Sequence, residues 1–536
     1  MNPTIVLLLL LVIPLVGRAA SEVPLHQQID HLVEAEAGVS VANLADDAEF
    51  FRRVNLDFAG VIPTAGETRK FLDDSSPTKR RTTIDALLNG PRYASTMRDR
   101  FHVHLMERRG SDEIWMAWLE KAFAENKPWD QMAREMIRSD FRDEPNRGAA
   151  YFYAKRLEKY GANVTDYPGL TRDFGRLFLG MDLQCAECHK HLLIDDYDQV
   201  DFQGLMAGFS KLKLLREEYP AVEEQLTTGK HEYSSVFVGK PRMVGPKIPG
   251  LPEVELVSFE KDDLYIQTPD RKTKTPGIPR FSPLQQFAQL LPEAPTFSAN
   301  IVNRMWFLMM GRGLVEPLDQ FHSENPASHP ELLNLLAAEF ARQNFDMKWL
   351  FRELALTKTY QRTSRLPGGI ERGANDRHFL SATERRLSAE QLLASTLQAV
   401  NVQPEDAPLE NSSPEDESGD EIIGLNERFN AAFAAEAREP EYEFAPSLKS
   451  ALFTMNDDEV ARLLQRDDAL PAQLARETDN VRIAESLFLN VFSRRPEKEE
   501  IDDVAAFLTG FPGERKQAIV DVTWAMLTST EFVVNH

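Results

Sequence analysis

Cys185-Ala186-Glu187-Cys188-His189 is the stretch best equipped for chemistry, and Lys190 and His191 follow it directly. Cys185 and Cys188 are the only two cysteines in 536 residues. Their spacing, with a histidine directly after the second, is the C-x-x-C-H pattern of covalent c-type haem attachment. Each thiol adds to one of two vinyl groups on one edge of the porphyrin, and the adjacent imidazole turns under the ring to ligate iron. Two other chemistries use the same residue types. The thiols could close a local disulfide or form a redox pair. Alternatively, Cys185, Cys188, His189 and His191 could offer sulfur and nitrogen to a single zinc, copper or iron ion. His191 separates the metal readings: two places after the proximal histidine it cannot easily reach the far side of a porphyrin, whereas in a metal cage it is a direct ligand.

Other candidate ligands are weaker. Met206 lies in a stripe with Phe202, Leu205 and Phe209, which reads as core. His102 and His104 lie on different faces of one helix and cannot clamp one ion from that helix alone. With His322 and His329 they complete the set of possible second axial ligands to iron. Asp195, Asp196, Asp198 and Asp201 lack the glycine and glutamate of a calcium loop, so Asp198 or Asp201 reads as a helix cap.

Helices must position this motif. Thr171–Met181, just before it, puts Phe174, Leu177, Phe178 and Met181 on one face. A thioredoxin-type pair would instead follow a buried strand. Further amphipathic stretches cover Ile114–Phe123, Trp129–Ile137, Ala299–Met310, Leu332–Phe340, Trp349–Leu356, Leu387–Val400 and Ile519–Phe532, with Thr64 and Ser328-His329-Pro330-Glu331 read as helix starts. Between 219 and 282 prolines and glycines recur, and Val236-Phe237-Val238 and Val254-Glu255-Leu256-Val257 read as short strands. Residues 403–421 are acidic and poor in apolar side chains, which predicts a linker. Residues 1–20, with the apolar run Ile5–Ile13 before Pro14, read as an export signal too short to span a membrane comfortably.

The net charge of −23 argues against a nucleic-acid partner, because phosphate contacts need a positive surface. No nucleophile elbow, phosphate-binding glycine loop or dinucleotide fingerprint is present. A hydrolase using two distant carboxylates stays open as a third class of function.

Several segments together resemble the secreted planctomycete-type proteins that join a cytochrome-C-associated domain of unknown function to a planctomycete-specific C-terminal domain of unknown function. The first domain is matched by Phe51-Arg52-Arg53-Val54-Asn55-Leu56-Asp57-Phe58, by Asn126-Lys127-Pro128-Trp129-Asp130 and by the Cys-x-x-Cys-His segment. The second is matched by Ile301-Val302-Asn303-Arg304-Met305-Trp306, Gly311-Arg312-Gly313-Leu314-Val315, Arg386-Leu387-Ser388-Ala389-Glu390-Gln391-Leu392 and Ser529-Thr530-Glu531-Phe532-Val533-Val534-Asn535-His536. The resemblance carries no settled activity. Where the family pattern commonly reads His-Asp-His-Pro-Phe-Asp, this chain has His189-Lys190-His191-Leu192-Leu193-Ile194-Asp195, keeping both histidines but not the first aspartate or the Pro-Phe pair.

These readings combine into one expectation: a mainly α fold, with two helical domains (46–218 and 283–536) and a small β-containing Pro/Gly-rich insert between them. The expected function is exported redox or electron transfer, with haem c on Cys185, Cys188 and His189 and a partner cytochrome or other exported protein. The alternative is a secreted non-redox protein of a surface or polymer-degradation system, in which a metal on His189 and His191, or a disulfide, is a structural staple. No membrane contact is expected beyond the signal segment.

Overall fold

The computed structural model describes residues 23–140, 142–158, 165–215, 219–270, 272, 275–366, 377–402, 417–435, 437, 453, 458–511 and 513–536. The export-signal segment and residues 403–416 of the acidic stretch lie outside the described residues. Helices dominate, and among the described residues strands are confined to two-stranded pairs. The fold is mainly α.

The helices begin and end where side-chain chemistry dictates. Thr64 and Glu67 form a reciprocal capping box at Ala65–Asp73. Asp198 accepts from the Val200 amide to start Gln199–Phe209, whereas Asp201 is drawn into an ion pair with Lys247. Phe297–Met310 stops at Gly311, whose φ of 80° lies in the left-handed region that glycine enters without a Cβ clash. The Ser328-His329 start differs from expectation: Pro330–Arg342 has no side-chain cap, because Ser328 instead meets His329 Nδ1 at 3.0 Å. The chain re-enters at Glu417 as the helix Glu417–Phe433.

The β content of the insert comes from three hairpins: Leu212–Leu214 with Val222–Glu224, His231–Ser234 with Pro241–Val244, and Tyr265–Gln267 with Ile278–Pro279. The two expected strands are not strands. Val236-Phe237-Val238 is the turn of the second hairpin, because Val238 and Gly239 amides fold back on the Ser235 carbonyl at 3.2 and 2.9 Å and Gly239 takes a φ of 65°. Residues 254–257 alternate in burial but form no ladder; the Val254 amide spends its hydrogen bond on the Pro246 carbonyl at 2.8 Å.

Burial ties distant segments together. The larger apolar core mixes Phe58, Phe101, Trp129, Leu177 and Phe178 with Phe297, Trp306, Leu350, Phe351 and Phe379. A second core gathers Leu387, Phe429, Ile483, Ile519 and Phe532 around Leu56, Val61 and Ile62. The Asp47–Ala59 helix therefore contributes to both. On it, Asp57 is fully buried and accepts from Arg385 at 2.8 and 3.0 Å, Arg100 at 3.1 Å, the Tyr360 hydroxyl at 2.7 Å and Asn535 at 3.2 Å. Burial opposes ionisation of Asp57, but Arg385 and Arg100 prevail and hold its carboxyl below the usual carboxylate range. Arg52 and Arg53 on the same helix donate to carbonyls of Val491, Phe532, Tyr360 and Arg362. No helix among the described residues is long and apolar enough to cross a membrane.

Candidate functional site

The motif sits between two helices that are pinned on either side. Tyr167–Leu179 ends at Gly180, with φ 67°, and a Cβ there would lie 2.6 Å from the Phe321 ring and 2.9 Å from Asn300 Oδ1. The Asp182 amide then donates to the Asp319 carbonyl at 2.8 Å, tying the approach to the motif to the C-terminal half. Cys185–Glu187 is a single 3-10 turn, in which residues three apart eclipse, so Cys185 and Cys188 share one side. Ala186, fully buried, roots the turn in the core. Glu187 ion-pairs with Arg172, and its carbonyl accepts from the Gln203 side chain at 2.7 Å.

Both cysteines are exposed, unbonded thiols. The two histidines are held in opposite proton states. His189 Nδ1 lies 2.6 Å from the Lys190 carbonyl, which can only accept, so the ring proton sits on Nδ1 and Nε2 carries the lone pair. His191 Nδ1 instead receives the backbone N–H groups of Leu193 and Ile194 at 3.2 and 2.9 Å. Its lone pair is thus committed, and its proton is on Nε2. The His191 amide donates to the Tyr197 carbonyl at 2.9 Å, and Lys190 pairs with Asp195 at 2.7 Å. Among the described residues, no three His, Cys, Asp or Glu side chains gather in a metal-holding group.

An apolar rim surrounds the turn. Phe237 lies tilted against His189 with ring centroids 4.8 Å apart, and the Val236 amide donates to the Cys188 carbonyl at 3.2 Å. Leu192 and Leu193 are 73% and 85% exposed, and Phe237 is 68% exposed. Gln203 bridges the arrangement, donating to Glu187 and facing His231 Nε2 at 2.9 Å. Sequence reasoning missed Gln203, His231 and Phe237. Phe237 was visible as an apolar residue, but its register in a turn was not.

The other candidates are engaged elsewhere. Met206 packs half-buried against the larger core. His102 Nδ1 accepts from the Trp115 indole at 3.0 Å, and burial, then Arg108, push its pKa down to about 4. His104 is reached by Arg304 at 3.5 Å. His329 is 1% exposed beside His378, its pKa lowered by burial to about 4. His322 is linked to the motif through Tyr197, which it meets edge-on at 5.5 Å and which meets His191 at 6.1 Å.

Residues 28–213 match the PSCyt2 family, described as a protein of unknown function (DUF1549). Residues 285–442 match the PSD1 family, described as a protein of unknown function (DUF1553). No curated protein and no solved structure is significantly similar to the chain. The chain thus carries a PSCyt2 domain followed, in N- to C-terminal order, by a PSD1 domain.

Proposed function

We propose that this is an exported redox or electron-transfer protein with a c-type haem held at Cys185, Cys188 and His189. The observation that carries the reading is the split between the two histidines. A ligand imidazole normally donates its other N–H to a carbonyl or carboxylate, which fixes the tautomer and raises ligand basicity. His189 makes that bond to the Lys190 carbonyl and keeps Nε2 for a metal; His191 has spent its lone pair on the backbone. One imidazole with two neighbouring thiols suits haem better than a four-ligand cage. The exposed rim of Leu192, Leu193, Val236, Phe237 and Val238 adds to this, since a porphyrin face is a large apolar surface that such side chains would cover. Haem iron, when bound, supplies one-electron exchange, and its partner would be a cytochrome or other exported protein. The chain's own part is to present two thiols on one face of a turn and orient one nitrogen beside them.

The test is a pyridine haemochrome spectrum with elemental analysis on protein exported from a host that matures c-type cytochromes. One covalent haem per chain is expected. Absence of haem, with zinc, copper or iron at one per chain, would overturn this reading in favour of a structural metal site.

A further inference from the structure

A cavity of about 1310 Å³ opens between the Arg92–Met106 and Phe297–Met310 helices, the Arg385–Arg386 strand and the end of the Glu417–Phe433 helix. Its lining includes none of residues 185–191, so it is separate from the Cys/His turn. Small-molecule sites typically hold about 300–1,000 Å³, so this one has room for an organic ligand.

The wall carries six arginines: Arg92, Arg98, Arg100, Arg304, Arg385 and Arg386. In a chain of net charge −23 that is a local reversal of sign. The acidic side chains of the wall are mostly committed. Glu390 is bound by Arg108, Glu107 by Arg109 and Arg176, and Asp99 by Arg98; Glu384 is exposed. Arg100 and Arg385 share the single carboxylate of Asp57. Arg304, 2% exposed, donates among others to Asn300 Oδ1 at 3.0 Å, the Arg176 carbonyl at 2.6 Å and His104 Nδ1 at 3.5 Å. Arg92 is solvent-exposed, and the Arg386 guanidinium lies 5.6 Å from the centre of the Phe433 ring.

His104 is the second observation. Because Arg304 donates to Nδ1, the imidazole's own proton sits on Nε2, and that atom is shielded from solvent with no acceptor among the described residues. Buried donors in native structures almost always have a partner, so one lining a cavity points to an acceptor that arrives from outside. Burial, together with Arg304 and Arg176, holds the His104 pKa well below its ordinary value, which keeps it an N–H donor rather than a base.

We propose that this cavity binds an organic oxyanion, whose carboxylate, sulfate or phosphate-ester oxygens accept from the His104 Nε2–H and from the arginine donors of the wall. Ile301, Leu387, Ala394 and Phe433 supply apolar lining for the ligand's body.

The experiment is isothermal titration of the full chain at constant ionic strength with citrate, glycerol 1-phosphate and inorganic sulfate, with potassium chloride as the control. Saturable binding of one organic anion per chain is expected, and the tighter of citrate and glycerol 1-phosphate assigns carboxylate or phosphate ester. The double variant R92Q/R386Q is expected to weaken it at least tenfold. R342Q, which removes a surface partner of Glu339, is expected to leave it unchanged. Should the double variant melt before wild type, R92Q alone serves, because its side chain is solvated and supports no packing. No saturable binding of any of the three, equal affinity for sulfate and the organic anions, or unchanged binding in the arginine variants each overturns the proposal.

Discussion

His189 and His191 hold their protons on opposite ring nitrogens, and that difference makes them separable by mutation. His191→Ala removes the acceptor for two backbone N–H groups in a partly solvated loop and is expected to cost about 1 kcal/mol of stability, with haem content unchanged. His189→Ala removes an exposed hydrogen bond to the Lys190 carbonyl and a ring contact with Phe237, so it should destabilise the apoprotein no more than His191→Ala does, while on the proposed reading it abolishes the haem spectrum. Melting curves and haemochrome spectra on both variants check this, and an equal loss of bound metal from each would sink the single-imidazole reading. The residue types of the motif were legible in the sequence. The tautomers were not, because they depend on which backbone groups the loop 190–197 turns toward each ring. Glu224 makes a second residue-scale prediction. Burial, against hydrogen bonds from Ser282 and the Leu284 amide and the more distant Arg138, pushes its carboxyl up to about 7. The unfolded chain gives up this proton near 4.5 and the folded chain only near 7, so stability falls as pH rises between those values. Glu224→Gln is expected to flatten that slope, by on the order of 2 kcal/mol across the window, as read by chemical denaturation at pH 5 and pH 7.5.

Helix ends fix where the motif lies. Gly180 turns the chain out of Tyr167–Leu179 against Phe321 and Asn300, which leave no room for a side chain. Gly180→Ala combines a left-handed backbone with a clash against packed atoms and is expected to destabilise by about 2–4 kcal/mol, measured by urea titration. Loss below about 1 kcal/mol would mean that the neighbouring loop yields. Elements of this kind were the most readable part of the chain: apolar period, caps and glycine stops located Trp129–Ile137 to the residue and Phe297–Met310 within two. Short apolar runs were not readable. Val236-Phe237-Val238 has strand composition, yet Ser235 and Gly239 close a turn around it, and its side chains border the Cys/His turn instead of a core. Composition alone cannot separate a buried strand from an exposed rim.

At the scale of the molecule, the two family segments do not bury their apolar faces independently. Phe101, Trp129 and Phe178 lie in the same core as Trp306, Phe351 and Phe379. Residues 23–215 expressed alone are expected to bind hydrophobic dye and to lack a cooperative melting transition; a sharp transition with native-like spectra would contradict the shared core. Asp57 gives the complementary test. Its carboxylate joins side chains from positions 100, 360, 385 and 535, and breaking a buried ion pair by removing one charge typically costs about 3–5 kcal/mol. Asp57→Asn should lower stability by that amount in one transition. Because its folded carboxyl lies below the usual range, the stabilisation it lends is present at neutral pH and fades as acid titrates the folded form. No local pattern in the sequence announces a partnership across 478 positions.

That partnership also sets a clock. Asp57 leaves the ribosome hundreds of residues before Asn535, and at about 5–20 residues per second the wait is tens of seconds. For most of it the Asp47–Ala59 helix lacks Tyr360 and Arg385, and to its end the second core lacks Phe532. A nascent chain of this design keeps apolar faces uncovered until its last strand has been made.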